Sequence, residues 1–224
     1  GVVVTKIVGQ KGYILCLACE TDFVARGDKF QGFVKDMVAQ VAKGEYADSE
    51  ALLAAPFVAD ASVTVKEALD GVIATTGENM GLGKFAKMEL AAGKSGLIGG
   101  YLHSNGKLAV LVEMQTGSDA AAASEAFHEV AKNVAMQIAA LNPRFWDKSQ
   151  VTQDVLDEEK KIMMVQMEND PKMASKPEQV REKIVMGKMN KFYSENCLLQ
   201  QEFVRGDVFT GTVEQYIADA AKKL

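Results

Sequence analysis

Residues 3–17, VVTKIVGQKGYILCL, decide the fold because a second version of them occurs later in the chain. Moving the sequence by 94 positions brings them into register with residues 97–111, LIGGYLHSNGKLAVL, and places Gly12 on Gly106. Each copy has two β-rich runs around a turn that contains glycine, which is the pattern of a β-hairpin. Asn105-Gly106 is the stronger of the two turn signals. The sequence therefore predicts the same hairpin twice.

A helix is predicted to follow each hairpin. In the first copy, apolar residues recur with the i, i+3, i+4, i+7 spacing of an amphipathic helix, at positions 30, 33, 34, 37, 38 and 41. In this part of the chain the copies align with a shift of 97 positions, which places Phe30 on Phe127 and Gln40 on Gln137. We therefore expect the second copy to have a loop three residues longer between its hairpin and its helix.

The fold class predicted from these repeats is α+β, with two repeated subdomains that each lay helices on one face of an antiparallel β-sheet. Residues 1–94 are expected to form the first subdomain, and residues 95–148 and 195–224 the second. The insertion at residues 149–194 has two charged helical runs, each with an apolar stripe, on either side of a tip marked by prolines. It is predicted to be an antiparallel, coiled-coil-like helical hairpin.

Composition restricts the classes of partner. The 224 residues include 30 acidic and 25 basic side chains, for a formal net charge of −5. Nucleic acids and anionic membranes attract proteins with excess positive charge, so we expect neither as a partner. No run of about 18 apolar residues occurs, so no membrane-spanning segment is expected. The chain begins with Gly1 instead of Met, so we expect that an upstream segment is missing.

The three cysteines, Cys16, Cys19 and Cys197, suit a reducing cytoplasm better than a disulfide framework. Cys16 and Cys19 form a CxxC motif, but it ends a predicted strand, whereas a redox motif of this kind opens a helix. A zinc site would need further ligands from Cys197, His103 and His128. We therefore favour ordinary cysteines, with no metal site and no cofactor. A CxxC thiol oxidoreductase stays open as an alternative function.

The corner between the first hairpin and its helix, TDFVARG at residues 21–27, contains a phenylalanine where short connections are normally polar. The equivalent part of the second copy, QTGSDAAAASEAF, has no large apolar residue before Phe127. The architecture therefore tolerates a small polar loop here, and Phe23 is predicted to contact a partner. Burying an exposed phenylalanine gains roughly 1.5–3 kcal/mol, which suits an interface anchor. Filling a gap peculiar to the first subdomain is the alternative.

Five collinear stretches resemble one protein family. They are CETDFVARGDKF, TGENMGLGKF, GYLHSNGKLAVLVE, VAMQIAALNP and MGKMNKFYSENCLLQQEFVRGD, of which the first is the most specific. Together they cover essentially the whole chain and resemble the elongation factor Ts family, whose members exchange the guanine nucleotide of elongation factor Tu. The resemblance implies duplicated subdomains. It also implies a cytoplasmic, non-enzymatic exchange factor of translation elongation that binds elongation factor Tu in its GDP-bound and nucleotide-free forms.

The resemblance also implies which residues contact that partner. Thr21, Asp22, Phe23 and Val24 correspond to an exchange wedge, in which the phenylalanine enters an apolar cleft of the GTPase domain and the neighbouring loop disturbs the Mg²⁺ and phosphate site. Mg²⁺ demands near-ideal octahedral geometry, so disturbing its surroundings weakens nucleotide binding. By reciprocal linkage, a factor that prefers the nucleotide-free form weakens nucleotide as much as nucleotide weakens the factor.

Secondary contacts implied by the same resemblance are Thr76, Gly77, His103 and Gln137. At Gln137 this chain departs from the family pattern, because many members have histidine there. Members also usually begin with a compact helical, ubiquitin-associated-like domain, which does not occur before GVVVTKI; we therefore expect weaker binding and exchange, with the wedge retained. A homodimer, and a passive protein-binding or dimerisation module in place of an exchange factor, stay open as alternatives.

Overall fold

The computed structural model describes residues 1–104 and 106–224, so Asn105 of the predicted second turn lies outside the described residues. The chain divides into two compact units. Unit 1 comprises Gly1–Ala139 with Leu224, and unit 2 comprises Ala140–Lys223. The α+β class is confirmed, with two antiparallel sheets in the described part of unit 1. The three-part division into subdomains and an insertion stays a prediction.

The first sheet is three-stranded and antiparallel. Its strands, in hydrogen-bonded order, are β1 (Val2–Val8), β2 (Lys11–Cys19) and β3 (Met80–Glu89). Val8 pairs with Lys11, which leaves Gly9 and Gln10 as a two-residue turn. Gly9 has a φ of 58°, a conformation that such turns require and that glycine adopts without strain. The predicted first hairpin is confirmed.

Helices follow the hairpin and cover one face of this sheet. They are α1 (Asp22–Arg26), α2 (Asp28–Lys43), α3 (Ser49–Ala54) and α4 (Val65–Thr76). The apolar stripe of α2 packs on alternate residues of β2. Apolar residues that recur about every 3.6 positions lie on one face of a helix, and those that recur every 2 positions lie on one face of a strand, so each element turns one apolar face to the core. The buried members of this contact are Phe30, Phe33, Val34, Met37 and Val41 from α2, with Tyr13, Leu15 and Leu17 from β2.

The second copy repeats this order with fewer elements. The hairpin strands are β4 (Ser95–His103) and β5 (Leu108–Thr116), and the helices are α5 (Asp119–Ala122) and α6 (Glu125–Leu141). Phe127 is 3% exposed in α6, as Phe30 is 0% exposed in α2. The predicted equivalence of these two helices is therefore confirmed by the side chains that they bury.

The extra residues of the second copy lie in its hairpin turn, which corrects the predicted longer loop before the helix. His103 pairs with Leu108, so this turn has four positions, against two in the first hairpin. From the end of the second hairpin strand to the start of the helix, the two copies have equal lengths. Cys19 and Thr116 end these strands, and they lie 97 positions apart, as do the helix starts.

The predicted match of Gly12 with Gly106 is also wrong. Gly12 lies within β2, whereas Gly106 lies in the turn between β4 and β5, where its φ is 71°. The two glycines serve different purposes: Gly106 permits a left-handed backbone, and Gly12 permits a close contact. A shared residue type therefore misled the alignment by placing a strand position on a turn position.

The two sheets of unit 1 approach each other at Gly12. A Cβ atom there would lie 2.6 Å from Ile98 Cγ2 and 3.2 Å from Leu111 Cδ1, so any larger residue would force these side chains to shift. The Val3 N–H also donates a hydrogen bond of 2.6 Å to the Gly106 carbonyl oxygen. This bond joins the turn of the second hairpin to β1 and so positions the second copy beside the first.

Unit 2 is built mainly from helices. They are α7 (Gln153–Glu168), α8 (Pro171–Ala174), α9 (Glu178–Asn196) and α10 (Val213–Ala221), with single 3-10 turns at Lys148–Gln150 and Leu198–Gln200. The predicted helical hairpin is α7 and α9, which pack through Met167, Val185 and Met189. Ile162 in α7 and Val180 in α9 are 45% and 40% exposed, so part of the apolar surface of this hairpin is not covered by the partner helix. Within the described ranges, none of the helices has the length and hydropathy needed to cross a membrane.

Candidate functional site

The centre of the site is Phe23, in the first turn of α1. The hydroxyl of Thr21, the residue that caps this helix, accepts a hydrogen bond of 3.2 Å from the Val24 N–H. Ala25 is only 4% exposed and Val24 packs partly against the core, so the opposite side of the helix is anchored. Phe23 is 90% exposed. The alternative in which this phenylalanine fills a gap in its own subdomain is therefore excluded.

The second copy builds the same corner without a phenylalanine. Ser118 caps α5 by accepting a hydrogen bond of 3.1 Å from the Ala121 N–H, as Thr21 caps α1. Asp119 and Ala120 occupy the positions of Asp22 and Phe23, 97 residues later. Both corners thus form one short, capped helix that begins with aspartate. Since alanine suffices in the second, the fold itself does not require a large apolar side chain in the first.

Glu78 ties the start of α1 to the segment that follows α4. Its Oε2 atom accepts hydrogen bonds from the backbone N–H groups of Glu20 at 3.1 Å and Thr21 at 3.0 Å, and its Oε1 atom accepts one from the Thr21 hydroxyl. The bond from this hydroxyl, followed by those from the two backbone N–H groups, holds the pKa of the Glu78 carboxyl below its usual value. The carboxylate therefore stays ionised, and acts only as an acceptor, at neutral pH.

The structure brings the predicted residues Thr76 and Gly77 close to α1 through their neighbour Glu78. Gly77 ends α4 in the left-handed conformation, with a φ of 72°, and its N–H bonds to the Ile73 carbonyl oxygen at 2.8 Å. This cap turns the chain so that Glu78 reaches the Thr21 backbone. Glu78 was not singled out from the sequence, although it lies within the stretch TGENMGLGKF.

Asp22 is paired with Lys107, which lies in the turn of the second hairpin. Lys107 Nζ and Asp22 Oδ1 are 2.9 Å apart, and both side chains are about half exposed. The hydrogen bond and the charge of Lys107 lower the pKa of Asp22, so this carboxylate is also ionised at neutral pH. The contact joins the two copies of the repeat at the site. Lys107 was not singled out from the sequence, although it lies within GYLHSNGKLAVLVE.

His103 lies on the same hairpin, at the end of β4, and is exposed. Its Nδ1 atom is 2.8 Å from the Tyr101 hydroxyl, and the two rings are tilted at a centroid distance of 5.9 Å. The predicted contact residue is thus held on the surface by a neighbouring aromatic side chain. It belongs to the hairpin whose turn reaches Asp22.

Gln137 differs from the other predicted contact residues because it is 0% exposed in α6. Its counterpart in the first copy, Gln40, is also buried, where its side chain bonds to the Tyr46 hydroxyl at 2.7 Å and the Val58 N–H at 2.6 Å. The structure therefore places Gln137 inside the protein, away from the surface that carries Phe23. The helical spacing of the sequence could have indicated this burial, since Gln137 lies on the same face of α6 as the buried Val130 and Val134.

Of the three cysteines, Cys19 lies beside this corner, where its thiol donates a hydrogen bond of 3.4 Å to the Thr21 carbonyl oxygen. Cys16 and Cys19 are partly buried free thiols, three positions apart, so they point to opposite faces of the sheet. Cys197 is a buried free thiol, and burial raises its pKa. Across residues 1–104 and 106–224, no group of three or more His, Cys, Asp or Glu side chains is arranged to hold a metal ion.

Comparison with known proteins places the chain among relatives of one kind. The family profile described as Elongation factor TS matches residues 20–224. Elongation factor Ts of Trichlorobacter lovleyi is 41% identical over 216 residues, 96% of this chain and 67% of the relative. The proteins of the same name from Clostridium kluyveri and Clostridium tetani are 38% and 35% identical, over 96% and 100% of this chain. The chain spans about two thirds of the length of these relatives. It belongs to the elongation factor Ts family.

Proposed function

We propose that this chain is a guanine-nucleotide exchange factor for elongation factor Tu, which accelerates release of GDP during translation elongation. Membership of the elongation factor Ts family supports the reaction and the partner. The observation that carries the proposal is the 90% exposure of Phe23 on a capped helix whose other side is buried. The factor acts by contact alone, in the cytoplasm, and breaks no bond of the nucleotide.

Phe23 supplies the apolar anchor of this contact. Its ring enters an apolar cleft between helices of the partner's GTPase domain. Burial of one such side chain contributes roughly 1.5–3 kcal/mol. Because α1 is already capped at Thr21 and fixed at Ala25, little of this free energy is spent on ordering the corner. Thr21 and Val24 therefore contribute by shaping the helix that presents the ring.

Asp22 supplies charge beside the anchor. Its carboxylate is ionised at neutral pH, as aspartates ordinarily are, and the pair with Lys107 lowers its pKa further. When Phe23 enters the partner, this negative charge approaches the region of the bound Mg²⁺ and phosphates. Phosphate is repelled by a second anion, and Mg²⁺ tolerates a distorted octahedral shell poorly, so both interactions that hold GDP are weakened.

Thermodynamic linkage then makes the action reversible. A factor that binds the nucleotide-free partner more tightly than the GDP-bound partner must weaken GDP binding by the same ratio. Each 1.4 kcal/mol of this difference corresponds to about a tenfold change in affinity. Secondary contacts with the partner are made by Thr76 and Gly77, which adjoin α1 through Glu78, and by His103, on the hairpin that reaches α1 through Lys107. They add binding free energy to the complex. Gln137 is buried, so it contributes by supporting the surface residues that pack over it and does not contact the partner itself.

The test is stopped-flow release of a fluorescent GDP analogue from elongation factor Tu. The unchanged chain is expected to accelerate release, and Phe23→Ala to reduce the acceleration by roughly ten- to a hundredfold, from the burial free energy lost. Trp146→Ala is the matched control, since Trp146 is a second large aromatic residue with 53% exposure, in unit 2. No acceleration by the unchanged chain, or full acceleration by Phe23→Ala, would refute the proposal.

A further inference from the structure

Three hydrogen bonds to one carboxylate hold the residues that precede Phe23. Glu78 accepts from the N–H groups of Glu20 and Thr21 and from the Thr21 hydroxyl. These partners are 57 and 58 residues away in the sequence, so the contact links α1 to a distant part of the first copy. Hydrogen bonds to an ionised acceptor are roughly twice as strong as those between neutral groups. Glu78 therefore makes three charge-assisted hydrogen bonds at this end of α1, against one from Lys107 to Asp22.

The tether matters because α1 has five residues and cannot fix its own direction. Isolated helices shorter than about 12 residues are marginal in water, so the orientation of α1 depends on what holds its ends. The far end is held by the buried Ala25, whose carbonyl oxygen accepts a hydrogen bond from the Gln31 side chain, and by the Gly27 N–H bonded to the Val24 carbonyl oxygen at 2.9 Å. The near end, next to Phe23, is held by Glu78 and by the ion pair between Lys107 and Asp22.

The three bonds control both the position and the cap of the helix. Thr21 Oγ1 donates to Glu78 and at the same time accepts from the Val24 N–H, so the carboxylate fixes the rotamer in which the hydroxyl can cap α1. Removing the carboxylate would free the hydroxyl to rotate and would leave two N–H groups to water. The first turn of α1, with Phe23 in it, would then sample several directions.

We propose that Glu78 is a positioning residue for nucleotide exchange, which holds the start of α1 so that Phe23 points in the direction needed for docking. This inference rests on the proposed function and deepens it. Glu78 acts through Phe23 and does not need to touch the nucleotide or its metal.

A double-mutant cycle separates this role from a general effect on folding. In the GDP release assay, Glu78→Gln is expected to reduce the acceleration by roughly tenfold, since an amide cannot accept all three hydrogen bonds. In a chain that already carries Phe23→Ala, the same change is expected to alter the remaining acceleration by about twofold or less, because its target is gone. Equal losses in both backgrounds, or no loss in either, would overturn the inference.

The matched control is Glu89→Gln, at the other end of β3. Glu89 is also an exposed carboxylate with a lowered pKa, caused by hydrogen bonds from Lys11 and Lys87, and it is not bonded to α1. This variant is expected to exchange as the unchanged chain does. If the unchanged chain itself fails to accelerate release, the proposed function fails, and that result is distinct from failure of the Glu78 variants.

A second measurement tests the tether without a partner. Amide hydrogen exchange of the free chain should become faster at Thr21 and Ala25 in Glu78→Gln, since both N–H groups are bonded within this corner. Val34, which is buried inside α2 where its N–H belongs to the helical hydrogen-bond ladder, should keep its protection and so report that the variant is folded. If the amide hydrogen exchange of Thr21 and Ala25 is the same in Glu78→Gln as in the unchanged chain, the inference is overturned, whatever the GDP release assay shows.

Discussion

Replacing Phe23 by alanine should leave the stability of the chain almost unchanged. Truncating a fully buried phenylalanine costs about 3–5 kcal/mol. Phe23 buries only a tenth of its surface, so the loss in free energy of unfolding should be about 0.3–0.5 kcal/mol. Alanine is also the better helix former, by about 0.5 kcal/mol. These opposing terms nearly cancel, and we expect a net change within about 0.5 kcal/mol in either direction.

Urea unfolding followed by far-ultraviolet circular dichroism measures this difference. Phe30→Ala is the comparison variant in the same copy, because Phe30 is 0% exposed and should lose the full 3–5 kcal/mol or so. Paired with the GDP release assay, the result separates a residue kept for a partner from one kept for the core. A loss of more than about 1 kcal/mol in Phe23→Ala would show that the ring stabilises its own fold, and would refute the reasoning.

Three further outcomes are expected. Gly12→Ala should lower the free energy of unfolding by about 1–3 kcal/mol in urea titrations, since the added methyl group overpacks the contact between the sheets. Lys107→Met should raise the pKa of Asp22 in an NMR titration. In the unchanged chain the pKa of Asp22 is depressed by folding. The stabilisation of the fold by the Asp22–Lys107 pair is therefore present above the pKa that Asp22 has in the unfolded chain, and it is lost as pH falls through the pKa in the folded chain. The free energy of unfolding of the variant should lack this dependence on pH. Replacing Cys16 and Cys19 together by serine should leave GDP release nearly unchanged, whereas a thiol oxidoreductase would lose its activity.

The elements of the first copy were predictable because local and global signals agree there. The apolar stripe that begins at Phe30 has the period of a helix, and a similar stripe begins at Phe127. The two copies therefore give independent evidence for the same helix. Thr64 and Glu67 likewise form a capping box at the start of α4, with the residue types and spacing that mark a helix N-terminus. Phe23 could be assigned to the surface because the second copy acts as a comparison that lacks it.

The parts that escaped prediction depend on contacts across long sequence separations. Glu78 and Lys107 meet the corner from 57 and 85 residues away, and neither spacing nor residue type marks such a pair in a single sequence. The lengthened second turn was missed because a glycine in a strand and a glycine in a turn look alike. Gln137 was weighed by its place in a family motif, although its helical phase already placed it inward.

The fixed position of Phe23 also has a consequence for turnover. An exchange factor must leave its partner after each cycle, and the lifetime of a complex rises tenfold for about every 1.4 kcal/mol of added binding free energy. As the proposed anchor, one ring contributes roughly 1.5–3 kcal/mol, which corresponds to about a ten- to a hundredfold change in that lifetime. In the function proposed above, a single exposed ring on a short, capped helix therefore suits repeated use, since the helix that carries the ring is ordered before the partner is met.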